Sequence, residues 1–111
     1  MLPKNFRLRK RTEFSYSFKH GKFNSFKNFN LVVFTRKDNL LRIGFSVSKK
    51  VGKAVVRNKI KRRMSAIIHK NLKILNKGFN LIFIAKPEIV NLSFVDLEKE
   101  LNFAMEKCFL K

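Results

Sequence analysis

The chain is predicted to fold as an α/β sandwich, with helices packed on a small sheet in the order helix, two or three strands, helix, strand, helix. Three observations predict it. Leu41 to Ser48, LRIGFSVS, alternates at the period of a strand, with Leu41, Ile43, Phe45 and Val47 facing one way and Arg42, Gly44, Ser46 and Ser48 the other. Phe79 to Ala85, FNLIFIA, is apolar at nearly every position, as a central strand should be. Between them, Val56, Ile60 and Met64 recur at four-residue intervals, which is the spacing of a buried helix stripe.

The remaining elements follow in order. After a basic arm, Thr12 is expected to cap a short helix with Glu13 in its first turn, and Gly21 stands where a helix ends. Phe14 and Phe18 share one face of that helix and Tyr16 lies on another. Asn30 to Thr35 reads as a strand, preceded by either a short strand or an irregular arm around Phe23 to Phe29. In the central helix, advancing about 100° per residue puts Val56, Ile60, Met64, Ile67 and Ile74 on one stripe, with Ile68 and Leu75 at its edge. Lys61, Asn58, Ser65, His69 and Arg62 fan out on one flank, and Lys59, Arg63 and Lys70 on the other. Gly78 breaks the pattern before the next strand, and Lys86–Pro87 ends that strand. Ser93 with Asp96 resembles a capping box, opening an amphipathic helix with Phe94, Leu97, Leu101, Ala104, Met105 and Cys108 on its apolar side.

Composition bounds the function. At 111 residues, with 45% hydrophobic content and 13 Phe, residues 1–111 are expected to form a single ordered domain. No apolar run approaches the roughly 18 residues of a membrane span, and the N-terminus lacks the apolar run of a secretory signal. The single Cys108 excludes an internal disulfide and a Cys-rich zinc site, and fits a reducing cytoplasm. The chain carries 26 Lys and Arg against 7 Asp and Glu, a net charge of +19. Such charge opposes compaction, and a polyanionic partner relieves it. Residues 1–87 hold only two of the acids, Glu13 and Asp38, so the cationic surface belongs to that part of the chain.

The stretch SVSKKVGKAVVRNKIKRRM, Ser46 to Met64, concentrates the charge. Most charge runs are merely solvated helix faces. Here Lys61, Arg62 and Arg63 crowd together with no acid three or four residues away, which points to an external counter-charge. Arg57 and Lys61, one turn apart, can straddle phosphates, and Asn58 both donates and accepts. Phe14, Phe18, Val32 and Phe34 are by default core residues, yet exposed aromatics beside a basic rim also form stacking platforms for single-stranded bases. The small Gly44, Ser46 and Ser48 would let a nucleic-acid backbone approach. Catalytic groups are scarce. His20 and His69 lack an obvious carboxylate orienter, and Asp96, Glu98 and Glu100 lie far in sequence from the basic surface, so a nuclease acting alone is disfavoured. An anionic membrane surface is the rival partner, but no basic helix has a spare apolar side once the sheet is covered. A structural RNA-binding protein, such as a ribosomal one, shares the charge.

These residues resemble a known family. SVSKKVGKAVVRNKIKRRM is similar to the signature of the protein subunit of bacterial ribonuclease P, its RNR-type motif reading RNKIKRR, Arg57 to Arg63. RLRKRTEFSYSFKHG resembles the first helix of that family, LRIGFSVSKK its strand leading into the motif, and IAKP, Ile84 to Pro87, the end of the later strand. The resemblance implies an α-β-β-β-α-β-α order, a small mixed sheet and a left-handed crossover through the basic helix, against the usual right-handed rule.

It also implies a role. The holoenzyme cleaves precursor tRNA to give the mature 5′ end. Its catalyst is an RNA that binds the magnesium ions, so the protein itself would need no cofactor or metal and would have no catalytic residue. The 5′ leader would lie in a cleft of Phe14, Phe18, Val32 and Phe34, with Ser46 and Ser48 near its floor. The catalytic RNA would meet Lys49, Lys50, Lys53, Arg57, Asn58, Lys61, Arg62 and Arg63. The implied partners are that RNA and precursor tRNA, in the cytoplasm and with no membrane; protein oligomerisation stays open. Two departures stand out: Lys53 replaces a frequent Asn, and Ser65 stands where many members carry another Arg.

Overall fold

A computed structural model describes residues 2–72, 75 and 77–108, without the side chain of Cys108. The elements are α1 (Arg11–His20), β1 (Lys22–Ser25), β2 (Phe29–Thr35), β3 (Leu41–Ser46), α2 (Ala54–Lys70), β4 (Phe79–Ala85) and α3 (Phe94–Cys108), with 3-10 turns at Lys4–Phe6 and Pro87–Asn91. Three strands therefore precede the basic helix, and the fold is the expected α/β arrangement. The sheet order is β1-β2-β4-β3. The apolar strand β4 is inserted between β2, to which it runs antiparallel, and β3, to which it runs parallel. It is buried on both faces, which is why it lacks alternation.

Alternation divides the sheet into two packed faces. On one, Leu31, Ile43, Leu81 and Phe83 meet Ile60, Met64, Ile67 and Ile68 of α2 and Leu97, Leu101, Ala104 and Met105 of α3. On the other, Val32 and Ile82 join Leu8 and the partly buried Phe14 and Ile84 beneath α1. Each fully buried aliphatic side chain contributes about 1.5–3 kcal/mol, whereas a like-charge pair one turn apart costs a few tenths, about 0.2–0.5 kcal/mol. The stripe of α2 thus outweighs the mutual repulsion of its cations.

Four local details differ from the sequence expectations. Thr12 is not a cap: α1 starts at Arg11, and the N-cap Lys10 makes no side-chain capping bond. The chain is instead pinned at its entry, where the Leu8 amide donates to the Ile43 carbonyl at 2.9 Å. Helix α2 ends at Lys70, because the Asn71 side chain turns back to donate to the Ile67 carbonyl at 2.9 Å. Leu75 is still buried but lies beyond the helix, and Ile74 lies outside the described residues, as does the side chain of Cys108. Strand β3 stops at Ser46, so the exposed Ser48 belongs to the following turn and its carbonyl accepts from the Val51 amide. Ser65, placed on the polar flank by helix geometry, is 2% exposed and lines a pocket shared with the N-terminal arm and β3. Ser93 behaves as expected, its hydroxyl accepting from the Asp96 amide at 3.1 Å.

Two glycines position α1 and β4. Gly78 has φ +91° at the entry to β4, a conformation in which a side chain is strained. Gly44 carries the ring of Phe14 directly on its Cα, in space that a Cβ would occupy. Gly44→Ala is therefore expected to push Phe14 and α1 off the sheet and to cost about 1–3 kcal/mol by overpacking, measurable by urea denaturation.

Candidate nucleic-acid interface

Helix α1 is held on the sheet at three places. Phe14 packs on Gly44 of β3, Ser17 accepts a hydrogen bond from Asn80 of β4 at 2.9 Å, and Gly21 abuts Val32 of β2. The α1 segment therefore crosses the sheet near the row Gly44–Ile82–Val32, whose residues are paired in register. The next row in one direction is Ser46–Ile84–Asn30, and in the other Arg42–Asn80–Phe34.

This crossing divides the aromatic residues singled out from the sequence. Phe14 and Phe18 line a shallow depression of about 360 Å³ with Ser15 and Lys19. Phe14 is half-buried, whereas Phe18 is 48% exposed, an unusual setting for so large an apolar ring. Val32 is wholly buried beneath this region and supports it without reaching the surface. Ser46 is half-buried, in register with Ile84. Phe34 is elsewhere: its ring meets Tyr16 edge-on at 5.4 Å and lines a cavity of about 690 Å³ with Arg36, Asp38 and Asn80. The structure thus gathers Phe14, Phe18 and the supporting Val32, sets Ser46 one row beyond, and separates Phe34 and Ser48 from them. Ile84 and Tyr16 were missed by sequence reasoning. Ile84 was legible from the alternation of β4, which puts it on the face of Ile82; Tyr16 was not, because its partner depends on how α1 crosses the sheet.

The two acids of residues 1–87 are both committed to one side chain. Arg36 donates to both carboxylate oxygens of Asp38, at 2.7 and 2.8 Å, lies 3.5 Å from Glu13, and donates to Asn80 at 2.8 Å. The hydrogen bonds from Arg36 hold the Asp38 carboxyl down at about 2, while those same bonds raise the Arg36 guanidinium. Of the C-terminal acids, Glu98 pairs with Lys70 at 3.0 Å and Glu100 accepts from the buried Asn28 at 2.8 Å.

No described acid forms an ion pair with the RNKIKRR segment. Among the described residues, the ion pairs are Arg36 with Glu13 and Asp38, and Lys70 with Glu98, so none involves Lys49, Lys50, Lys53, Arg57, Lys61, Arg62 or Arg63. Lys49, Lys50, Lys53, Asn58 and Arg62 are exposed; Arg57, Lys61 and Arg63 are half-buried, with their stems along the helix surface. Arg57 is oriented by donating from Nε to the Gly52 carbonyl at 3.1 Å, which ties the basic loop to the first turn of α2. That turn also presents the positive end of the helix dipole. Among the described residues no group of three His, Cys, Asp or Glu is placed to hold a metal ion, and no helix is long and apolar enough to cross a membrane.

The fold and this uncompensated edge are those of a small α/β protein that meets a polyanion. The ribonuclease P family model matches residues 2–108. The chain is 40% identical over 106 residues to the ribonuclease P protein component of Finegoldia magna, covering 96% of this chain and 93% of that protein. It is 39% identical over 102 residues to that of Clostridium botulinum, covering 91% and 92%. Among solved structures, the RNase P protein of Staphylococcus aureus matches with a TM-score of 0.90 at 25% identity, over 97% of this chain and 100% of that one. That of Thermotoga maritima matches with a TM-score of 0.83 at 28% identity, over 91% and 96%. The chain belongs to the bacterial ribonuclease P protein family. It is a subunit of the ribonucleoprotein endoribonuclease that acts in tRNA processing, which implies a partner RNA.

Proposed function

We propose that residues 1–111 act as one RNA-binding domain that joins the catalytic RNA of ribonuclease P to the 5′ leader of precursor tRNA. Lys49, Lys50, Lys53, Arg57, Asn58, Lys61, Arg62 and Arg63 face the catalytic RNA. Phe14 and Phe18 hold the leader, with Val32 as support and Ser46 and Ile84 bordering the groove. The observation that carries this reading is that, among the described residues, no acid pairs with a cation of the stretch from Lys49 to Arg63, while both acids of residues 1–87 are bound to Arg36. A helix edge so charged gains from each phosphate it neutralises, through release of counterions.

The protein then works by positioning. Its cations offset phosphate repulsion as leader and catalytic RNA approach, and the groove limits the motion of the leader near the scissile bond. The magnesium ions that activate water belong to the RNA partner, and the assembly is cytoplasmic. The test is cleavage of a leader-bearing precursor tRNA by a bacterial ribonuclease P RNA at low magnesium, with and without the protein. Protein alone is expected to be inert, and its addition is expected to restore accurate 5′ cleavage. Binding to the RNA without any change in cleavage would reduce the protein to a general RNA binder.

A further inference from the structure

The N-terminal arm builds a site that the basic helix does not contain by itself. Leu2 is buried in the core beneath α2 and α3, and Leu8 in the smaller core beneath α1. Between them the arm clasps the free edge of β3: Arg7 forms a parallel bridge with Ile43, and the Leu8 amide donates to the Ile43 carbonyl at 2.9 Å. Anchored at both ends, the arm encloses a pocket of about 190 Å³ against α2, with Arg7, Arg9, Lys61 and Ser65 on its polar side and Phe14 and Gly44 on its apolar side.

Three cations from two elements thus converge on one cavity, and no acid lines it. None of the three is in an ion pair among the described residues. Arg7 is oriented by donating from Nε to the Leu2 carbonyl at 2.7 Å. The contrast is the larger cavity beside Tyr16, where the guanidinium of Arg36 is already matched by Glu13 and Asp38. Ser65 keeps the pocket open: it is 2% exposed, and a longer side chain there would fill the space that the arginines border. Phe14 also lines the leader groove, and Lys61 belongs to the cationic flank of α2, so the pocket stands where those two surfaces meet.

We propose that the pocket between the N-terminal arm and α2 is a seat for an RNA backbone phosphate, with Arg9 and Lys61 supplying the charge, Arg7 shaping the wall and Ser65 leaving the room. This deepens the function proposed above and rests on it. A phosphodiester suits the site because it is anionic, compact and rich in acceptors, and guanidinium groups meet it through paired donors.

The test uses the reconstituted holoenzyme with Arg9→Ala and Arg9→Glu, both at an exposed position. Affinity for leader-bearing precursor tRNA, affinity for mature tRNA, and affinity of the protein for the catalytic RNA are each measured across a monovalent salt series. Arg9→Ala is expected to weaken one of these interactions by about five- to tenfold and Arg9→Glu by more. The slope of log affinity against log salt should flatten by about 0.7 for one lost contact to a single strand. A loss confined to the leader-bearing substrate assigns the phosphate to the leader; a loss in assembly assigns it to the catalytic RNA. Unchanged affinities and slopes with Arg9→Glu would overturn the proposal. Phe18→Ala in the same assay separates the two readings: if it weakens leader binding while Arg9→Glu changes none of the three affinities, the pocket fails and the leader groove stands, and if neither variant changes any of them, both fail.

Discussion

Phe18→Ala is expected to weaken holoenzyme binding of leader-bearing precursor tRNA by about tenfold or more while leaving mature tRNA, which lacks the leader, nearly unaffected. The magnitude follows from base stacking on an aromatic platform, about 1–3 kcal/mol per base. The ring is 48% exposed and lines a surface depression, so its loss leaves no cavity in the core. Protein stability should accordingly change little, within the ~0.5 kcal/mol typical of surface substitutions, and a denaturation curve serves as the control. Tyr16→Ala offers the informative contrast. Tyr16 is somewhat more exposed than Phe18 and belongs to the cavity of Phe34, Arg36 and Asp38. If it reproduces the Phe18→Ala defect in full, the leader is not confined to the Phe14 side of α1. Equal losses for precursor and mature tRNA with Phe18→Ala would remove the leader groove altogether.

The division of the aromatic residues shows where sequence reasoning stops. Periodicity reported which residues of each strand share a face, and it was right for Leu41, Ile43 and Phe45 against Arg42, Gly44 and Ser46, because alternation is a local property of the backbone. It could not report that Phe34 and Ser46 lie on opposite sides of α1. That depends on which residue of β2 pairs with which of β4 and on where α1 crosses between Gly44 and Val32. Both are set by contacts between residues distant in sequence. Ser65 illustrates the same limit: helix geometry put it on the polar flank, but it is buried, in a pocket shared with β3 and with an arm that starts more than fifty residues earlier and is tied to β3 through the Leu8 amide.

Charge was more legible than geometry, for a physical reason. With only two acids before residue 88, most of the N-terminal cations had to remain unpaired whatever the fold. What the sequence could not supply is that both acids converge on Arg36, so that the region's compensation is spent at one point beside Tyr16. The consequence is a gradient across the surface. The cavity near Arg36 carries both acids of this region, while no acid lines the arm pocket and, among the described residues, none is ion-paired with Arg57 to Arg63 of α2. A polyanion is thus steered toward α2 and away from the β2–β3 turn, over distances comparable to the Debye length of about 8 Å at physiological ionic strength.

That gradient makes the α2 cations the second place where a large effect is expected. Arg57→Ala should lower cleavage of precursor tRNA by the holoenzyme about ten- to a hundredfold at low magnesium, and the defect should shrink as magnesium rises. Free divalent ions screen phosphate repulsion and can substitute in part for a protein cation, so the two act on the same free-energy term. Arg57 differs from its neighbours, however, because its Nε also donates to the Gly52 carbonyl and thereby orients the basic loop of Lys49, Lys50 and Lys53. Arg57→Ala removes a charge and loosens that loop; Arg62→Ala, at an exposed position, removes a charge alone. The Arg62→Ala defect should therefore be smaller and almost fully rescued by magnesium, with Arg57→Ala retaining a residue of impairment at the highest concentrations. Arg57→Lys, which keeps the charge but not the guanidinium geometry, should fall between the two. A loss with Arg57→Ala that is the same at every magnesium concentration would mean that the loop geometry, rather than the charge, is what the RNA requires of this position.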